Sequence, residues 1–245
     1  MLVSTNIDNE GATLLADRLV VHTSLKELDL SENSSITASG WVEYFRVLAD
    51  SGIALEKLNV RDTHIDDEGV TFLIGWLATT GKLISLDLLH TWVTSNSLPS
   101  IADVLLRTTL FSKLKVLEMG IHDDDFLCGI ATALAQNSSV EVVNVYFPNS
   151  LQEWHGWRAM ENALCDHKSI DKIYYSNHTL HTFSETWMMG DTLCHLLEIN
   201  SNKNKAEVVR TKILEFYFSD FANIRPAMDG VAMSVLPTAI AWIAR

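Results

Sequence analysis

An aliphatic triplet that recurs along the chain is the sequence feature that most constrains the fold. In the segment that begins at Leu55, aliphatic residues occupy positions 1, 4 and 6, and Thr63, Ile65 and Gly69 follow at positions 9, 11 and 15. Matching segments begin at residues 25, 55, 83, 114, 140 and 170, so five steps cover 145 residues with a mean of 29. Each segment is typical of a short strand, a tight turn and the start of a helix. This period predicts stacked strand–helix units, because one unit alone cannot bury its apolar face.

The residues between the triplets carry helical patterns. After Asp66, a predicted N-cap, the residues Val70, Leu73, Ile74 and Leu77 follow the i, i+3, i+4, i+7 spacing of one apolar helix face. Similar stripes follow the other triplets. We therefore expect each helix to pack its apolar face on the strand residues of its own and neighbouring units.

The motif L-x-x-L-x-L-x-x-N/T, followed by an amphipathic helix, resembles that of leucine-rich-repeat proteins. The long period resembles their ribonuclease-inhibitor subtype, and the resemblance covers residues 2 to 182. It implies an α/β horseshoe-shaped solenoid of about seven repeats, with parallel strands on the concave face and helices on the convex face. We predict a solenoid at residues 1–182, with its first repeat incomplete, and a helical C-terminal cap of the same domain at residues 183–245.

The two ends of the chain differ from the regular repeats. Residues 2–11 align position for position with residues 60–69, so the chain begins inside a repeat. We expect either that the chain is a portion of a longer protein or that another surface, such as a second copy, covers this uncapped end. Towards the C-terminus, an asparagine turn at Asn200, a Lys-rich helix and a closing helix from Leu236 to Ala244 resemble leucine-rich-repeat proteins of algae.

Composition and charge exclude several classes of function. Eighteen basic and 31 acidic residues give a formal charge of −13, which disfavours binding to nucleic acid or anionic membranes. No segment reaches the roughly 18 consecutive apolar residues that a membrane span needs. The charge favours a partner with a basic and apolar surface, although acidity alone also keeps proteins soluble. The three cysteines, none in a C-x-x-C spacing, favour reduced thiols and an intracellular, reducing compartment of unspecified organelle.

The strand residues that do not point into the core are the candidate binding residues. In a strand, alternate side chains face opposite sides, so positions 5, 7 and 8 of the repeats are expected to line the concave face. The early repeats place acidic residues there, whereas the later repeats place apolar and aromatic ones. The candidate partner-binding residues are Asp29, Glu32, Asn59, Arg61, Asp87, Leu89, His90, Glu118, Ile121, Tyr146, Phe147 and Tyr174. In an alternative interpretation, the C-terminal helices cover this surface, or a one-residue register shift in the later repeats misassigns its side chains.

The chain has few sequence patterns that could indicate catalysis or metal binding. The run from His122 to Asp125 contains potential ligands, but adjacent acids at a helix start are more typical of N-caps. Trp157 is expected to pack in the core. The chain contains no Gly-rich phosphate loop, nucleophile elbow or zinc motif, so we predict no cofactor, no metal site and no enzymatic activity.

These observations favour non-catalytic protein recognition or scaffolding through the concave face, with the chain as a subunit of a larger assembly. An alternative is the ligand-sensing, regulatory repeat region of a protein that resembles nucleotide-binding immune receptors. A third interpretation is an enzyme whose site has no recognisable motif.

Overall fold

A computed structural model describes residues 2–22, 24–49, 51–107, 110–147, 155–183 and 190–217. Within them, six parallel strands form one sheet in chain order, β1-β2-β3-β4-β5-β6. The strands are β1 (Glu27–Asp29), β2 (Lys57–Asn59), β3 (Ser85–Asp87), β4 (Val116–Gly120), β5 (Val142–Tyr146) and β6 (Thr182–Phe183). The helices are α1 (Asn9–Leu19), α2 (Ala38–Leu48), α3 (Asp67–Ala78), α4 (Leu98–Leu106), α5 (Asp124–Ala135), α6 (His155–Leu164), α7 (Ile170–Tyr174), α8 (Asp191–Asn200) and α9 (Lys205–Lys212). A 3-10 turn (Ser95–Ser97) precedes α4, and a π-helical turn (Ile213–Tyr217) follows α9.

The sheet register follows the repeated triplets through five repeats. The position-4 residues pair directly across the sheet and are 8% exposed or less: Leu28, Leu58, Leu86, Leu117, Val143 and, from the sixth strand, Phe183. Helices α1 to α6 pack against each other in chain order, and α8 packs on α6. The predicted α/β solenoid is therefore confirmed, with one layer of strands and one layer of helices around a continuous core. We call the sheet face opposite the helices the concave face.

The predicted sixth repeat is wrong. Residues Ile170–Tyr174 form the short helix α7 instead of a strand. The sixth strand pairs Thr182 with Val142 and Phe183 with Val143, so the repeat begins at Leu180 rather than at Ile170. The fifth repeat is longer than the others because α7 is inserted between α6 and β6.

The first residues lie beside β1 as the second half of a repeat. The backbone N–H of Leu2 donates to the carbonyl oxygen of Asp29 at 2.9 Å. In the same way, the N–H groups of Leu30 and Val60 donate to the carbonyl oxygens of Asn59 and Asp87 at 2.9 and 3.1 Å. Leu2 therefore occupies the place that Leu30 and Val60 hold in the complete repeats.

Position 9 closes the turn after each early strand, as its Asn and Thr residues predict. The hydroxyls of Thr63 and Thr91 donate to the carbonyl oxygens of Val60 and Leu88 at 2.6 and 2.9 Å. The side chain of Asn33 donates equivalently to Leu30 at 3.0 Å. These bonds satisfy buried backbone groups where the chain leaves the sheet.

The helices begin at side-chain caps, which the sequence also predicts. Asp66 accepts a hydrogen bond from the backbone N–H of Gly69 at 2.9 Å, and Asp123 accepts one from Phe126 at 2.7 Å. The acids after His122 thus start helix α5. Trp157 is 5% exposed and packs in the core, as expected.

The C-terminal region is described only in part. Helices α8 and α9 pack on each other, and α8 contacts α6. The predicted closing helix from Leu236 to Ala244 lies outside the described residues, and the capping role of residues 183–245 remains a proposal. In the described part of the chain, no helix is both long and apolar enough to cross a membrane.

Candidate protein-binding site

A row of oxygen-bearing side chains crosses the concave face at position 5. Asp29 pairs with Asn59, Asn59 with Asp87, and Asp87 with Glu118 in the parallel register. Adjacent strands lie about 4.8 Å apart, so these side chains form a continuous line over four strands. All four are half-buried. We call Asp29, Asn59, Asp87 and Glu118 the carboxylate row.

Backbone hydrogen bonds fix the orientation of this row. One side-chain oxygen accepts from the N–H two residues later in three successive strands: Asp29 from Ser31 at 3.1 Å, Asn59 from Arg61 at 3.0 Å and Asp87 from Leu89 at 2.9 Å. This local turn is one that Asp and Asn favour. It holds the side chains before any ligand arrives, which lowers the entropy cost of binding.

The row carries negative charge that the neighbouring cations do not balance. The Lys57 ammonium lies 2.7 Å from Glu27, and Arg61 lies 3.1 Å from Asp62. Within the described ranges, none of the three carboxylates of the row forms an ion pair. Burial raises the pKa of Asp87 to about 6, and the nearby Glu118 charge adds to that increase.

The row lies in a groove of about 330 Å³. The lining residues come from positions 3, 4 and 5 of β1 to β4: Glu27, Leu28, Asp29, Lys57, Leu58, Asn59, Ser85, Asp87 and Glu118. Oxygen atoms and negative charge dominate its exposed side chains. A groove of this chemistry is suited to Lys or Arg side chains of a partner.

Two position-8 residues beside the carboxylate row adopt a left-handed backbone conformation. Glu32 and His90 at position 8 have φ values of 59° and 55°, and both are exposed. Arg61 is half-buried beside its ion pair, and Leu89 is 8% exposed. The left-handed backbone interrupts the alternation of the strand, and it turns the position-8 side chain towards solvent.

Four of the predicted binding residues are placed differently by the structure, and the first of them is the buried Leu89. Ile121 is 1% exposed because β4 stays extended, so Leu117, Met119 and Ile121 all point into the core. Phe147 is half-buried, with its ring 5.4 Å from that of Trp157. Tyr174 is 57% exposed but belongs to helix α7, so it does not lie on a strand of the concave face.

A cavity beyond the row was not predicted from the sequence. It has a volume of about 550 Å³ and is lined by residues of three consecutive repeats: Leu88, His90, Thr91, Trp92, Val93, Gly120, His122 and Tyr146. Trp92 stacks on His64 with ring centroids 3.9 Å apart, and His90 contacts Tyr146 at 4.5 Å. We call it the rim cavity, because it lies where β3, β4 and β5 end.

A sequence signal for the rim cavity exists at position 10. His64 and Trp92 both occupy this position in neighbouring repeats, and stacking of the repeats brings their rings together. Position 10 lies past the strand, where the alternation of strand side chains no longer predicts which side chains meet. Aromatic residues at equal positions of adjacent repeats are the sequence signal for this cavity.

A family model described as Leucine Rich repeat matches residues 21–41 and 54–73, which contain β1 and β2. These strands pair through Leu28 and Leu58, the repeated leucines of the motif. The chain is a leucine-rich-repeat solenoid.

Two individual proteins resemble this leucine-rich-repeat chain. One is described as Protein phosphatase 1 regulatory subunit 37 homolog from Caenorhabditis elegans, and it is 24% identical over 199 residues. That match covers 80% of this chain but 21% of the relative, so the chain spans about a fifth of the relative's length. Among solved structures, Leiomodin-1 Actin-Binding Site 2 (ABS2) matches 81% of this chain and 94% of its own chain, with 13% identity and a TM-score of 0.43.

The acidic residue Asp123 caps the N-terminus of helix α5. Asp123 accepts hydrogen bonds from the Ser95 hydroxyl and from the Phe126 backbone, and these bonds lower its pKa. Among the residues that the structure describes, no group of three His, Cys, Asp or Glu side chains could hold a metal ion. Asp123 therefore acts as a helix cap that also ties α5 to the preceding repeat.

Proposed function

We propose that this leucine-rich-repeat solenoid is a non-catalytic scaffold that binds a protein partner through its concave face. The observation that supports the proposal is the carboxylate row, in which Asp29, Asp87 and Glu118 are held in register and form no ion pair with the other described residues. Preorganised carboxylates bind Lys and Arg side chains through charge-assisted hydrogen bonds. The partner is therefore a protein with a basic and apolar surface.

The relative supports a regulatory rather than a catalytic role. Its description names it a homolog of a protein phosphatase 1 regulatory subunit. We extend only this class of role to the present chain, as a subunit of a larger assembly. The unpaired Cys128, Cys165 and Cys194 agree with a reducing, intracellular compartment. The repeat length and the helix in each repeat further favour the ribonuclease-inhibitor-like subtype.

A charge-matched pair of variants tests the proposal. The test variant carries Asp29→Asn, Asp87→Asn and Glu118→Gln, and Asn59 already shows that an amide can make the same backbone bond. The control carries Asp17→Asn, Asp125→Asn and Glu68→Gln on exposed helix positions, so both variants lose three charges. Each chain is used for affinity capture from native lysate, and the proteins are identified by mass spectrometry.

The expected result is specific loss of a partner at fixed stoichiometry. The concave variant should lose the protein that both the natural chain and the control retain. A partner retained equally by all three chains would overturn the concave face as its binding site. Equal loss from both variants would show that net charge, rather than the row, determines capture.

Self-association through the N-terminal end is a further part of the proposal. Leu14 and Val21 are 57% and 75% exposed in and after α1, so they offer an apolar contact for a second copy. Light scattering of the isolated chain and of Leu14→Glu tests this contact. A dimer that the substitution dissociates would support it, whereas a monomer at all concentrations would contradict it.

A further inference from the structure

We propose that the rim cavity binds an aromatic side chain of the partner and that the carboxylate row binds a basic side chain of the same segment. This inference rests on the proposed function, since it treats both features as parts of one binding surface. It adds which type of side chain enters the rim cavity and which residue types the bound segment of the partner must contain.

The cavity has the composition of an anchor pocket. Leu88 and Val93 supply apolar walls, and the rings of Trp92 and Tyr146 are 57% and 42% exposed. A volume of about 550 Å³ accommodates a large side chain. Exposed aromatic rings pair with aromatic ligands in offset or edge-to-face arrangements, and such anchors supply most of the binding energy of many interfaces.

Gly120 leaves the floor of the cavity open. It occupies position 7 of the fourth repeat and pairs with Tyr146 of the neighbouring strand. A Cβ atom at this position would lie 3.4 Å from Cε1 and 3.6 Å from Nε2 of His122, which is ordinary contact. A larger side chain at residue 120 would therefore extend into the cavity with little disturbance of the strand.

His122 adds a second sign of a functional cavity. Its Nε2 atom is buried and has no hydrogen-bond partner among the described residues. Burial also lowers its pKa, so the ring stays neutral near pH 7. A buried polar atom without a partner costs free energy, and stable folds keep few of them outside functional regions.

The spacing between the two features determines the ligand. Gly120 follows Glu118 by two residues on the same face of β4, a distance of about 7 Å along the strand. In an extended segment, side chains two residues apart point the same way with the same spacing. The charge of the row selects Lys or Arg for one of them. The occupant is thus a basic residue separated by one position from an aromatic residue.

Nuclear magnetic resonance of the labelled 245-residue chain tests this assignment with three probes. The probes are N-acetyl-tryptophan amide, N-acetyl-arginine amide and the N-acetylated, amidated tripeptide Arg-Gly-Trp. The tryptophan probe should shift the resonances of Gly120 and Trp92, and the arginine probe those of Asp87 and Glu118. The tripeptide should bind at least about tenfold more tightly than either single probe, because linkage raises the effective concentration.

Two variants separate the cavity from the row. Gly120→Val fills the cavity, and Trp92→Ala removes an exposed wall with little effect on the core. Each should weaken tripeptide binding at least about fivefold and leave the arginine probe unchanged. Gly75→Ala, at an exposed glycine of α3 with open space around it, is the control that should change neither.

The possible outcomes distinguish this inference from the proposed function. The aromatic anchor is overturned if the tryptophan probe shifts the resonances of other residues, or if neither cavity variant weakens tripeptide binding. Arginine binding at the carboxylate row would then still support the proposed function. If the arginine probe also fails to shift the row, both are overturned. If one of the two cavity variants does not fold, the other still tests the anchor.

Discussion

Asp87 and Glu118 are direct neighbours across β3 and β4, with their carboxylates side by side on the concave face. Asp87 also accepts the backbone N–H of Leu89 at 2.9 Å, which holds its side chain in place. Two side chains of like charge that lie directly opposite each other on adjacent strands destabilise a sheet. A partner cation would relieve that repulsion, so binding and stability are coupled at this pair.

Asp87→Asn should therefore stabilise the unbound chain near neutral pH. The pKa of Asp87 is about 6 in the folded state against an ordinary value of 3.8, mainly because of burial. The folded state binds the proton more tightly, so the stability of the natural chain falls as pH rises from about 4 to about 6 and then levels off. After a discount for solvent screening, the gain at pH 7.5 is about 1 kcal/mol.

Urea denaturation of the two chains at pH 4 and pH 7.5 measures this gain. The difference in unfolding free energy should be present at pH 7.5 and nearly absent at pH 4. Asp17→Asn, on an exposed helix position, controls for the change in net charge. An equal effect of both substitutions at pH 7.5 would contradict the local origin of the gain.

Tyr146 and Phe147 should separate binding from stability. Tyr146 faces the rim cavity and is 42% exposed, so Tyr146→Ala should change stability by less than about 0.5 kcal/mol. Phe147 packs against Trp157 behind the sheet, so Phe147→Ala should cost about 2 kcal/mol. Thermal melting of both variants checks the contrast. Similar losses for the two would place both rings on the same side of the sheet.

The sequence predicted the register of five repeats because the aliphatic triplet and the sheet share one geometry. In an extended strand, positions 4 and 6 point to the same side, and Leu58 and Val60 are buried together. The concave row follows from the same alternation, which is why Asp29, Asp87 and Glu118 were found. Their neighbours at position 8 depend on the turn instead. Glu32 has a left-handed backbone and Ile121 continues the strand, a difference that residue type alone did not reveal.

The sixth repeat was misplaced because Ile170 and Ile173 satisfy two patterns. A spacing of three residues fits positions 1 and 4 of the strand motif, and it also fits one face of a helix. The structure uses it as helix α7. A better signal is the asparagine three residues before the first position of the repeat, since Asn137 precedes Val140 as Asn177 precedes Leu180.

These asparagines connect successive repeats, so Asn177→Ala should be strongly destabilising. The Asn177 amide donates to the carbonyl oxygens of Leu134 and Asn137 at 2.7 and 2.9 Å. Its oxygen accepts from the N–H groups of Thr179 and Leu180 at 2.8 and 2.9 Å. Loss of these four hydrogen bonds, three of them buried, should cost about 3 kcal/mol.

Urea denaturation of Asn177→Ala and Asn202→Ala measures the effect. Asn202 makes a similar local bond to Asn204 but is exposed, so its loss should cost less than about 1 kcal/mol. Asn177→Asp is informative too, because it retains the acceptor and places a carboxylate against two carbonyl oxygens. It should be at least as destabilising as the alanine variant. A mild effect of both would show that water replaces the buried amide.

Lys212 is fully buried at the end of α9 and joins three parts of the fold. Its ammonium donates to the carbonyl oxygens of Leu164 and Asn177 at 2.6 and 2.9 Å, and it lies 3.1 Å from Nδ1 of His178. Leu164 ends helix α6, whose last carbonyl groups lack helical partners. Lys212→Met retains much of the apolar stem but leaves these oxygens unsatisfied. We expect it to cost about 2 kcal/mol at pH 8.

The pH dependence of the difference between the two chains reports how strongly burial disfavours the charged form of Lys212. Burial lowers the pKa of Lys212 to about 7 from an ordinary 10.5, so the unfolded chain holds the proton more tightly. The stability of the natural chain should therefore gain from this group as pH rises from about 7 towards 10, whereas Lys212→Met lacks that gain. The difference between the two chains should widen over this range in urea denaturation. Lys205→Met removes a more exposed lysine that is bonded to Asn200 at 3.0 Å and whose pKa burial lowers less strongly, so it should show a smaller widening. A constant difference across the range would mean that Lys212 keeps an ordinary affinity for its proton in the folded chain.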